Sequence, residues 1–96
     1  MSPIALVATL KVKPEYTDEV IKFFKTELID QSRAEANNIQ YDLHQGLQDK
    51  NTLIMYEIWA SQQAIDEHNE TAHFKNFVAY IGDKVESVNI TLLEKL

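Results

Sequence analysis

Leu53-Ile54-Met55-Tyr56-Glu57-Ile58-Trp59 is the stretch on which the fold turns. It is short, rich in β-branched and aromatic side chains, and bounded by polar clusters, so it reads as a strand. Both faces are apolar except at Glu57, which is the pattern of a strand covered on both sides. Upstream, Ile39 to Leu47 alternates Ile39, Tyr41 and Leu43 with Gln40, Asp42 and His44, a second strand. Gly46 to Thr52, containing Asp49-Lys50-Asn51, is polar and turn-forming, so the two strands make a hairpin. Downstream, Ser61 suits the N-cap of a short helix through Asn69, and Thr71 that of another through about Val85. Phe74, Phe77, Val78 and Ile81 form the inward stripe of the latter.

The flanks complete the pattern. Ile4 to Val12 is a strand with apolar residues at every even position, ended by Pro14, which cannot donate to a ladder. From Glu15 to Ala36 the period becomes helical, with Tyr16, Val20, Phe23, Phe24 and Leu28 on one stripe. Asn37-Asn38 breaks that helix, and Asn tolerates a left-handed backbone there. Ser87 to Leu93 is the last strand. The order βαββαβ predicts one ferredoxin-like α+β domain over residues 1–96, a four-stranded antiparallel sheet with helices on one face. Helices cover only one face, yet strands one, three and four are apolar on both. The exposed face therefore predicts a two-fold homodimer.

Composition narrows the function. The chain of 96 residues carries a formal charge of −6 and shows no basic stripe, so neither nucleic acid nor an anionic membrane is an expected partner. There is no cysteine, which excludes disulfides and thiolate catalysis and suits a reducing compartment. Met1-Ser2-Pro3-Ile4 lacks a basic leader, and no apolar run reaches the roughly 18–20 residues of a membrane span. The expected location is the cytoplasm.

The chemistry-bearing residues gather late in the chain. Glu57 and Trp59 share a face of their strand with Leu53 and Met55, and a carboxylate there is either paired or raised in pKa. His68 and His73 follow. If that face meets the helices, Glu57, Trp59 and one histidine converge on an apolar cavity, the usual form of a small-molecule site. Each also has an ordinary reading: Trp59 as core, Glu57 as a salt-bridge partner, His68 as solvated, His73 as a helix-start residue and Tyr41 as a strand residue. The five-residue spacing of His68 and His73 does not place two ligands on one helix face, so no metal is expected.

Four blocks carry a resemblance: Glu35 to Tyr41, Tyr56-Glu57-Ile58-Trp59-Ala60-Ser61, Ala64 to His68, and Thr71-Ala72-His73-Phe74. Together they resemble the antibiotic biosynthesis monooxygenase superfamily, in particular its small quinol-monooxygenase-like members. The resemblance implies a dimeric α+β barrel and an oxygenase that needs no cofactor. Such an enzyme deprotonates an electron-rich aromatic such as a hydroquinone, and the resulting carbanion reduces O₂. It implies that Trp59 forms a wall of the pocket with Met55, Tyr41 and Phe74. His68 or His73 would orient or deprotonate the substrate, and Glu57 would position a partner. Asn38 and Ala72 stand where Gly and Pro are usual. Met55 stands where polyketide-tailoring members carry Asn, and Ala5 to Thr9 lacks the first-strand Asn of several oxygenases. Lys75, Asn76, Phe77 and Val78 supply no histidine for haem degradation. His68 followed by Thr71 to Lys75 is also similar to the isomerase that processes phosphorylated autoinducer-2, with His73 and Lys75 serving a phosphorylated substrate. A dimer that binds a small ligand without turnover is the third reading.

Overall fold

The computed structural model describes residues 2–96, so Met1, the first residue of the leader reading, lies outside it. Strand β1 (Ile4–Val12) leads through a 3-10 turn (Pro14–Tyr16) into α1 (Thr17–Phe23), a π segment (Phe24–Leu28) and α2 (Ile29–Arg33). Strands β2 (Asn38–Gln45) and β3 (Thr52–Trp59), helices α3 (Gln62–Asn69) and α4 (Ala72–Ile81), and strand β4 (Val85–Glu94) follow. The sheet order is β2-β3-β1-β4 with every pair antiparallel, which is the ferredoxin-like arrangement.

Strand parity decides which side chains meet the helices. Leu6, Ala8, Leu10 and Val12 of β1 and Leu53, Met55, Glu57 and Trp59 of β3 are buried beneath them. Val20, Phe24 and Leu28, spaced by four, are wholly buried from the helical side. Phe24 meets Phe77 of α4 at 4.8 Å between ring centroids, tilted by 51°. Tilted aromatic pairs of this kind add about 0.5–1.5 kcal/mol beyond their burial.

Several boundaries differ from the sequence expectation for local reasons. The first helix runs without a break from Thr17 to Arg33, but its pitch changes midway. The Ile29 N–H bonds back to the Phe24 carbonyl, and Thr26 Oγ1 donates to the Lys22 carbonyl at 2.9 Å, a back-bond that bends helices. Asn38 is not left-handed, since no residue, glycine included, has positive φ among the described residues. Hydrogen bonding turns the chain instead: the Asn38 N–H donates to the Glu35 carbonyl at 3.1 Å and its Nδ2 to the Gln40 carbonyl at 3.0 Å. Asn38 pairs with Trp59 and Gln40 with Ile58, so Ile39 is the extra residue of a bulge. The bulge removes Ile39 from the inner face expected of it and leaves it 58% exposed. Helix α4 stops at Ile81, and Val85 already belongs to β4.

Candidate active site

Two caps fix the corner where α3 meets α4. Ser61 Oγ accepts from the Ala64 N–H at 3.2 Å, and Thr71 Oγ1 accepts from the Phe74 N–H at the same distance. Thr71 Oγ1 also donates to the His68 carbonyl at 2.7 Å, which ties the end of α3 to the start of α4. His68 therefore sits buried in the last turn of one helix and His73 in the first turn of the next.

Glu35, just beyond α2, joins them. Its Oε2 lies 2.7 Å from His68 Nδ1 and 2.8 Å from His73 Nε2. A carboxylate accepts only, so both facing ring nitrogens donate. That assigns the His68 proton to Nδ1 and leaves Nε2 as a bare acceptor, buried without a partner. Trp59 and Phe74 flank the ring at centroid distances of 4.5 and 4.8 Å. Tyr41 stands edge-on to it at 5.6 Å.

On the sheet, Glu57 faces Tyr41 across the β2–β3 pair. Trp59, two residues along the same face, donates its indole N–H to Glu57 Oε1 at 2.8 Å. Burial pushes the Glu57 carboxyl up to about 7, against the indole bond that lowers it, with Glu35 adding a further rise. Burial lowers the His68 pKa, although its contact with Glu35 pulls the other way. Tyr41 is raised by burial, then by the charge of Glu57; the neighbouring Ser32 hydroxyl works against them, and the charge of Glu35 adds to the rise. At neutral pH the arrangement offers a neutral imidazole and a neutral phenol beside a carboxyl near its midpoint.

A cavity of about 290 Å³ lies between the sheet and α4. Tyr41, Met55, Glu57, His68 and Phe74, all expected at the site, line it, and Asn69 joins them. Trp59 is not on the wall. It is fully buried behind His68, where it backs the ring and holds Glu57. His73 also lies off the cavity, on the far side of Glu35, beside a surface depression shared with Phe23, Glu27 and Asn76. Glu35 opens the first of the resembling blocks but had no role in the sequence reading. Its partners lie 33 and 38 residues away, beyond any local pattern. The Glu35, His68 and His73 ligand atoms lie within 4.8 Å of one another, a grouping that sequence spacing did not suggest because the histidines sit on different helices. Their separations are those of hydrogen bonds, and a metal ion there would have to replace both ring protons.

Fold and cavity define the class: a small ferredoxin-like α+β protein with ionisable groups at one end of an apolar cavity. Within that class the chain belongs to the antibiotic biosynthesis monooxygenase family, whose sequence profile matches residues 3–80. It is 46% identical over 76 residues to YcnE of Bacillus subtilis, a candidate monooxygenase, with 79% of each chain covered. It is 29% identical over 96 residues to the candidate monooxygenase Rv0793 of Mycobacterium tuberculosis, covering 99% of this chain and 93% of that one. The crystal structure of PA3566 from Pseudomonas aeruginosa superposes with a TM-score of 0.94 at 32% identity, covering 100% of this chain and 96% of that one. The family and these relatives indicate a monooxygenase-type function in general terms. No helix among the described residues is long and apolar enough to cross a membrane.

Proposed function

We propose that the protein is a cofactor-independent monooxygenase acting on a small electron-rich aromatic such as a hydroquinone, with His68 as the base. The observation that carries this reading is the unpartnered His68 Nε2, on a ring whose other nitrogen is committed to Glu35. His68 Nε2 takes a proton from the substrate hydroxyl, and the resulting anion presents carbanion character at a ring carbon. O₂ adds to that carbon, and Glu57 in its protonated form hands a proton to the peroxide anion. The ring C–H proton then returns to Glu57 as the O–O bond breaks. The departing hydroxide takes the proton held on His68, so a quinone carbonyl and water form and both residues are restored. A general base and a general acid each contribute about 10²–10⁴-fold in such chemistry.

The partner in this reading is a second copy of the chain. Ile58 and Tyr56 on the sheet face away from the helices are only half-buried, and Leu93 there is exposed. A two-fold mate on that face would cover them. The phosphorylated-substrate reading lacks its cation: Lys75 pairs with Glu70 at 3.0 Å on the exterior, and no Lys or Arg lines the cavity. The test is turnover of a freshly reduced quinol under ¹⁸O₂. One labelled oxygen in the product and one in water is the expected result. Label in hydrogen peroxide alone would reduce the reaction to simple oxidase chemistry.

A further inference from the structure

The polar groups of the cavity are not scattered. Tyr41 and Glu57 face each other on β2 and β3, the His68 ring lies 5.6 Å from Tyr41, and Asn69 follows it in sequence. Every other lining residue is apolar. From the polar corner the floor runs across the sheet in register: Met55 is opposite Ala8, Ala8 opposite Ile90, and Leu10 opposite Val88. Helix α4 roofs the same path, from Phe74 beside His68 to Phe77, Val78 and Ile81. Strand spacing puts β4 about 10 Å from β3, and the step from Leu6 to Leu10 adds about 13 Å along the strands. The far end is open, because Val78, Val88 and Ile90 line the cavity yet are 49, 46 and 57% exposed.

Size sharpens the point. A single aromatic ring fills a cavity of roughly 150 Å³, whereas this one holds about 290 Å³. The remaining space is apolar, so water there finds no partners and an apolar group is the favoured filling.

On the reading of this cavity as the substrate site, we propose that its substrate is an amphiphilic phenol or quinol bearing an apolar tail. The hydroxyl end lies against Tyr41, Glu57 and His68, and the tail runs beneath α4 to Val88 and Ile90. This goes beyond a generic aromatic substrate, because it fixes the orientation and requires the tail.

The test is anaerobic titration with 4-alkylphenols bearing zero to six carbons, read by fluorescence of Trp59, the only tryptophan in the chain. Affinity rises roughly fourfold per methylene in the wild type. Val78→Asp, at the open end, cuts that increment to below about twofold, and Ile90→Ser provides a second check on the slope. Tyr41→Phe weakens every member by a common factor of about five and keeps the slope. A flat wild-type series overturns the proposal, as does a series whose slope responds to Tyr41→Phe and ignores both tail variants. Because binding is read without oxygen, a steep series without oxygen uptake upholds the orientation while removing the oxygenase reading. A flat series with oxygen uptake does the reverse.

Discussion

Trp59 donates its indole N–H to Glu57 Oε1 at 2.8 Å, both side chains projecting from the same face of β3 and both buried. This bond satisfies one carboxyl oxygen of a residue that lines the cavity. It also holds the Glu57 pKa lower than burial alone would set it.

Glu57 should make the protein less stable as pH rises. Its pKa is raised from 4.5 to about 7 on folding, so between those values the folded state binds more protons than the unfolded one. Stability is full below the unfolded value and is lost as pH climbs through the folded one. Glu57→Gln keeps an acceptor for Trp59 but cannot ionise. Thermal melts of the two proteins should agree near pH 4 and diverge toward pH 8, the variant gaining on the order of 3 kcal/mol. Parallel curves across that range would place the charge elsewhere.

The pH dependence of quinol turnover should be bell-shaped. His68 acts as a base only when neutral, and burial lowers its pKa below the ordinary 6.5, so the acid limb lies below that value. Glu57 acts as an acid only when protonated, so the basic limb begins near 7. In Glu57→Gln the basic limb disappears and the rate falls by roughly 10²-fold or more. Steady-state kcat/KM between pH 5 and 9 measures both limbs.

The β2–β3 hairpin depends on one glycine. A Cβ on Gly46 would run into the Asp49 backbone carbonyl, and that same carbonyl accepts the Thr52 N–H at 3.1 Å. Gly46→Ala should therefore cost about 1–3 kcal/mol in chemical denaturation, the usual range for overpacking against backbone that cannot give.

Much of this was legible in the sequence because its causes are local. Alternation placed Met55, Glu57 and Trp59 on one face, and the hydroxyls of Ser61 and Thr71 marked the two helix starts that the structure shows. Non-local geometry was not legible. The bulge at Ile39 arises from register against β3, and the π segment from the Ile29 N–H reaching the Phe24 carbonyl within an otherwise regular stripe. Glu35 gained its place only when three distant segments met. The position of Trp59 behind His68, instead of on the cavity wall, likewise depends on how α3 docks on the sheet.

Oxygen consumption with a freshly reduced quinol, compared among wild type, His68→Ala and Glu35→Gln, tests the central claim most directly. The wild type should consume oxygen well above autoxidation, His68→Ala should lose about 10²–10⁴-fold, and Glu35→Gln should fall in kcat with little change in KM. Uptake that survives intact in His68→Ala would contradict the assignment of His68 as the base.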